Sequence, residues 1–161
     1  MSPQIPLVTF RLTGQGRGVA QTVREDGSAH VIQTDAHPAF GGGDTAPSPL
    51  AYALAALTSC TQVTSQIVAR DHGLKLGAFT VSVDAKLDPT VLATGAEGVS
   101  NFTQLTLVAS IETDAAPAQF AHFGAEVERR CPVTQLFRRS GVAVTTEWRA
   151  VALLPVPAAA E

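Results

Sequence analysis

The chain has 161 residues, is 45% hydrophobic and carries a net charge of −3, enough to bury one sizeable core and too short for two ordinary domains. Its 11 Lys and Arg residues are scattered, with a single local cluster at Arg129, Arg130, Arg138 and Arg139, which argues against nucleic acid as a partner. Met1 to Phe10 lack the basic start and apolar run of a signal peptide, and no apolar stretch is long enough to cross a bilayer, so a soluble, cytoplasmic protein of one domain (1–161), without membrane contact, is expected.

Three short alternating runs open the chain, at 5–13, 16–24 and 28–34, separated by Gly14, Gly16 and the Asp26-Gly27 turn signal. They predict an antiparallel meander. Turn formers follow, from His37-Pro38 through Gly41, Gly42, Gly43 and Asp44 to Pro47. The GGGD piece at 41–44 precedes a helix but lacks the lysine of a P-loop and the spacing of a dinucleotide fingerprint, so it reads as a flexible approach loop.

Ser48 offers an N-cap and Pro49 suits the first helical position, which predicts a long helix to about Asp71, with Gly73 just past its end. Counting from Leu50, the residues Leu54, Leu57, Thr61, Thr64 and Val68 share one stripe. Cys60 lies on its edge, beside Ala53 and Ile67. A helix so apolar and rich in small residues is expected to be buried centrally.

Strands are predicted at about 77–87 and 99–113, joined by a loose segment around Pro89 and Gly95. A second helix starts near Pro117 and runs through Phe120, Phe123 and Val127 toward Arg130. Pro132 must interrupt or restart it, because proline lacks an N–H and disfavours helical geometry in the residue before it. Residues 133–139 form a further helical turn or two ended by Gly141, 142–151 alternate as a last strand, and the Pro- and Ala-rich tail from Pro155 is expected to fray. Strand runs before and after a central helix, without strict βαβ alternation, argue for an α+β fold with helices packed on antiparallel sheet.

The chain has two cysteines, too few for the disulfide framework of a small secreted fold; in a reducing compartment such a pair leans toward catalysis or redox sensing. By residue type alone, Cys60 in its apolar helix reads first as a packed, inert thiol and second as a catalytic one. Cys131, in Arg129-Arg130-Cys131-Pro132-Val133, has two evenly matched readings. It either ends one helix before a proline or caps the next, where the helix dipole and nearby arginines favour the thiolate. A cysteine peroxidase needs one thiolate to attack a peroxide and a second thiol to condense with the sulfenic acid before overoxidation. Two cysteines are the minimum set for that chemistry. The histidines, His30, His37, His72 and His122, show no close ligand pairing and no zinc spacing with the cysteines. Ser59 and Ser65 lack a nucleophile-elbow pattern.

The segment GGGDTAPSPLAYALAALTSCTQVTSQIVA (41–69), followed by RRCPVTQLFRRSGVAVTTEW (129–148), resembles the OsmC and Ohr superfamily of thiol-dependent organic hydroperoxide reductases. The three leading strands and the order of elements extend the likeness over nearly the whole chain. The resemblance implies an α+β fold in which antiparallel sheets pack around the Cys-bearing helix of an intertwined homodimer. It further implies Cys60 as the peroxidatic thiol, Cys131 as the resolving one, an apolar organic hydroperoxide as substrate, and an external dithiol of lipoyl or thioredoxin type as reductant, with no metal, haem or flavin cofactor.

The resemblance departs from the pattern in one place. Its better-studied members hold an arginine over the thiolate with a glutamate near the start of the Cys-bearing helix, where this chain has Pro49-Leu50-Ala51-Tyr52 and no acid. Arg17 is the nearest match to that arginine, with Arg11 and Arg24 as alternatives and Arg129 or Arg130 as fallback. The other reading on the same fold is a binding or redox-sensing dimer whose pocket holds an apolar ligand.

Overall fold

A computed structural model describes residues 5–154; the tail from Pro155 lies outside them. The chain divides into two compact units, Met1–Ala53 and Leu54–Glu161.

The first unit is a three-stranded antiparallel meander of β1 (Leu12–Arg17), β2 (Ala20–Glu25) and β3 (Val31–Thr34). The expected strand over 5–13 is displaced: only Leu12 and Thr13 of it fall in β1, which runs on to Arg17, into the stretch expected to open the second strand. β2 ends at Glu25 opposite Leu12, and Asp26-Gly27 then turns the chain away, so residues 5–11 have no length of β2 left to pair with beyond the Asp26 N–H on the Arg11 carbonyl. Gly14 and Gly16 lie inside β1 and do not end a strand. At Gly16 a Cβ would fall 2.1 Å from the Ala20 carbonyl oxygen, so the backbone itself fills the space a side chain needs.

After the short 3-10 turn Pro38–Phe40, the glycine-rich loop is tied down by one carboxylate. Asp35 is 3% exposed and accepts from the N–H groups of Ala36, Gly43 and Thr45 and from the Thr45 hydroxyl. Those bonds, the Thr45 pair foremost, hold its pKa at about 2 against the opposing effect of burial. Of the loop expected to be a flexible approach, the Gly43 N–H goes to Asp35, while those of Gly41, Gly42 and Asp44 go to the carbonyls of Pro38, His37 and Ala36.

Helix α1 (Pro49–His72) begins as its cap predicts, with the Ser48 Oγ accepting from the Ala51 N–H. Its buried residues are Leu57, Thr61, Thr64, Ser65, Val68 and Ala69.

In the second unit, β4 (Leu76–Leu87), β5 (Phe102–Thr113) and β6 (Ala143–Ala152) form one sheet in that order. The segment between β4 and β5 carries a short helix, α2 (Thr90–Thr94). β4 and β5 are antiparallel, but β5 and β6 run parallel, so the expected all-antiparallel sheet is a mixed one. The reason is the connection: helices α3 (Pro117–Arg130) and α4 (Pro132–Arg139) carry the chain back across the sheet, as a parallel pairing requires. Every second residue of β5 from Leu105 to Thr113 is buried, matching the period-2 pleat.

Phe120, Phe123, Gly124 and Val127 form the buried stripe of α3. The Phe123 ring meets Trp148 of β6 edge-on at 6.0 Å between centroids. Gly124 permits that approach, since a Cβ there would lie 2.9 Å from the Trp148 ring. Among the described residues no helix is long and apolar enough to cross a membrane.

Candidate active site

Pro132 makes the site possible. It ends α3 and opens α4, leaving Cys131 between them in extended backbone geometry (φ −72°, ψ 113°) as C-cap of one helix and N-cap of the other. The Cys131 N–H still donates to the Val127 carbonyl at 2.8 Å, and its own carbonyl accepts from the Gln135 N–H at 3.0 Å. Cys131 therefore sits in a fixed kink with no exposed surface.

Cys60 is brought to this kink from the middle of α1. Both thiols are free, Cys60 half-buried and Cys131 buried, and they stand close enough to act on each other's ionisation. Burial pushes the Cys60 thiol up; the neighbouring Cys131 adds to this, while the Val133 backbone N–H and the Thr64 hydroxyl pull the other way. Burial also opposes ionisation of Cys131, but the hydroxyl and N–H of Thr134, then Cys60 and Thr64, outweigh it and lower that thiol. The surroundings thus favour the thiolate at Cys131 and disfavour it at the more accessible Cys60.

Both readings of Cys131 meet in the structure: it ends α3 and stands at the N-cap of α4, without a side-chain cap hydrogen bond. The groups that favour its thiolate most are the hydroxyl and N–H of Thr134. The arginines beside it are engaged elsewhere: Arg129 with Glu126 and Arg130 with Asp71, each at 2.8 Å.

Arg17 lies in the other unit, at the end of β1 where it pairs with Ala20, and is exposed. Arg11 is paired with Asp26 at 3.7 Å, and Arg24 stands on β2 opposite Thr13. Sequence reasoning placed Thr64 on the stripe of α1 without giving it a role, and did not name Thr134. The signal was present: Thr64 follows Cys60 by one helical turn, and Thr134 occupies the third position of the helix that Cys131 caps.

The histidines behave differently from their sequence spacing, since His72 at the end of α1 meets His122 of α3 edge-on at 5.3 Å. Among the described residues no group of three or more His, Cys, Asp or Glu is arranged to hold a metal ion.

The family model described as OsmC-like protein matches residues 41–147. No curated protein sequence matches the chain. Among solved structures, an OsmC-like protein from Mycoplasma pneumoniae is 18% identical with a TM-score of 0.76, covering 89% of this chain and 98% of that one. An organic hydroperoxide resistance protein from Elizabethkingia anophelis is 17% identical with a TM-score of 0.72, covering 92% and 100%. The organic hydroperoxide resistance protein OhrB of Bacillus subtilis is 18% identical with a TM-score of 0.61, covering 89% and 100%.

Proposed function

Since the chain belongs to the OsmC-like protein family, we propose that it is a thiol-dependent peroxidase reducing organic hydroperoxides to alcohols. The observation that carries this reading is the pairing of a half-buried thiol, Cys60, with a fully buried one, Cys131, at a helix start. The accessible sulfur meets the substrate, and the protected one waits for the product of that encounter.

In the first step the Cys60 thiolate attacks the distal oxygen of ROOH. The O–O bond breaks, RO⁻ leaves and takes a proton to become ROH, and Cys60 is left as a sulfenic acid. Cys131 then attacks the Cys60 sulfur, hydroxide leaves as water, and the Cys60–Cys131 disulfide forms. An external dithiol of lipoyl or thioredoxin type supplies the two electrons that restore both thiols. The apolar residues on the exposed face of α1 near Cys60, Val63 and Ile67, favour hydroperoxides with hydrocarbon tails. The working unit is a homodimer with α1 at its centre, acting in the cytoplasm. Arg17, the match to the family's activating arginine, is assigned the role of favouring the Cys60 thiolate in the assembled dimer, since a guanidinium keeps its charge throughout the working pH range.

The test is loss of an organic hydroperoxide supplied with reduced lipoamide, wild type against Cys60→Ser. Consumption by wild type and none by the variant supports the reading; equal rates refute it.

Two observations favour a binding or redox-sensing dimer instead. The first turn of α1 carries no acidic residue, and Cys60 is the thiol of the pair that is pushed up. In that case wild type consumes no hydroperoxide, while an apolar probe is retained by the dimer.

A further inference from the structure

The kink that carries Cys131 is braced by a single side chain one turn before it. Glu128, in the last turn of α3, accepts from the Trp148 indole N–H at 2.8 Å and the Thr146 hydroxyl at 2.5 Å, both on β6. Its other carboxylate oxygen receives the Arg138 guanidinium from α4. Its backbone carbonyl accepts from the Gln135 side chain, also on α4, at 2.9 Å. Three elements thus converge on one residue that precedes Cys131 by three positions. No other residue ties the end of α3 to both the helix and the strand that follow it through its own side chain, among the described residues.

We propose that Glu128 is a positioning residue for the thiol pair, holding the α3–α4 kink at the angle that keeps the Cys131 sulfur within bonding range of Cys60. This rests on the disulfide step of the proposed reaction. In that step the Cys131 sulfur must approach the Cys60 sulfur along the new S–S bond, and the tolerance is narrow because disulfide geometry is specific. A buried thiol in a proline-broken kink has two rigid helices as levers: loosening α4 against α3 moves the sulfur directly. Glu128 resists that motion with a charge-assisted bond to α4 and two bonds to the sheet. Its carboxylate is tied to Arg138, Thr146 and Trp148, and neither it nor those partners are among the main groups that shift either thiol, so its influence on them is geometric.

The experiment equilibrates the protein with reduced and oxidised glutathione and measures the fraction of Cys60–Cys131 disulfide by mass spectrometry. The exchange is balanced: two protein thiols and one oxidised glutathione give the protein disulfide and two reduced glutathiones. The readout is the effective concentration of one thiol toward the other, which needs no hydroperoxide. Glu128→Gln loses the charge pair with Arg138 and should lower it by about tenfold, equivalent to about 30 mV. Trp148→Phe, which keeps an aromatic ring but loses the indole N–H donor to Glu128, should lower it by a smaller factor and serves if Glu128→Gln does not fold. Asp35→Asn weakens the other unit and should leave the value unchanged.

A folded Glu128→Gln with the wild-type effective concentration overturns the proposal, and so does an equal fall in Asp35→Asn, which would reduce the effect to general stability. Absence of any Cys60–Cys131 disulfide in the wild type also overturns it. Failure of the peroxidase reading looks different: the disulfide forms with glutathione, yet wild type leaves hydroperoxide untouched.

Discussion

The Cys131 thiol stands beside the Cys60 thiol and is the one whose surroundings favour the thiolate, although it has no exposed surface. Burial ordinarily penalises a thiolate, so local hydrogen bonding from the start of α4 decides the difference. A charge on Cys131 in turn raises the cost of a second charge on Cys60.

Replacing Cys131 by serine therefore relieves Cys60. The midpoint of its alkylation by iodoacetamide, followed against pH, should move down in Cys131→Ser, although burial still keeps it above that of a free thiol. Hydroperoxide turnover with a dithiol should fall, and dimedone-reactive sulfenic acid at Cys60 should accumulate. A midpoint that stays in place or rises would remove Cys131 as the neighbour that holds Cys60 protonated.

Arg17→Ala should slow hydroperoxide consumption by about tenfold or more, the equivalent of about 1.4 kcal/mol of transition-state stabilisation. It should also raise the pH at which Cys60 is alkylated, while the unfolding midpoint changes little because Arg17 is exposed on β1. Unchanged rate and alkylation profile would exclude Arg17, and the same result for Arg11, Arg24, Arg129 and Arg130 would favour the binding reading.

Val63 is 60% exposed and Ile67 38% exposed on α1, an apolar surface that a second copy would cover. Sedimentation should give a dimer at micromolar concentration, and Val63→Glu should shift it toward monomer. A wild-type monomer under those conditions refutes the dimer.

Asp35 contributes stability through a pKa lowered from 3.8 to about 2. A carboxylate depressed in the folded state stabilises fully above its unfolded value, and that contribution is lost as pH falls from about 3.8 through about 2. Asp35→Asn should be less stable than wild type at neutral pH, and urea unfolding of the two should converge near pH 2. A constant gap across that range would mean that the carboxylate's charge is irrelevant to the loop.

Gly124→Ala puts a methyl group against the Trp148 ring, inside a packed layer. Overpacking of this kind costs about 1–3 kcal/mol, read as a lower urea midpoint with an unchanged slope. A neutral substitution would show that α3 can ride away from β6.

The sequence carried the helices well because their signals are local. Ser48-Pro49 opens α1 and Gly73 follows its end; Pro117 opens α3 and Pro132 divides it from α4. Strand pairing is another matter. Alternation over residues 5–13 promised a strand of that length, but pairing ends at Leu12 because the partner stops there. Alternation in residues 142–151 likewise says nothing about direction, so the parallel register of Ala143–Ala152 on β5 was not legible. At the site, residue chemistry alone put an inert thiol first for Cys60 and left Cys131 evenly balanced; their reading as a pair came from the resemblance to the family. Glu128 was not legible, because Thr146 and Trp148 lie 18 and 20 positions away and a lone glutamate in a helix announces no partner.

The parallel pairing of β5 with β6 also bears on when the Cys131 kink is braced as the chain folds. Cys131 travels on the crossover between those strands, and the bonds that brace its kink come from Thr146 and Trp148, which emerge from the ribosome after it. Contacts of such separation close late, once loop-closure entropy has been met. On a growing chain, the proposed pairing of Cys60 with Cys131 thus lacks its brace until β6 has docked. Such a chain gains from a reducing environment during synthesis, where a thiol captured too early by a foreign sulfur can still be released.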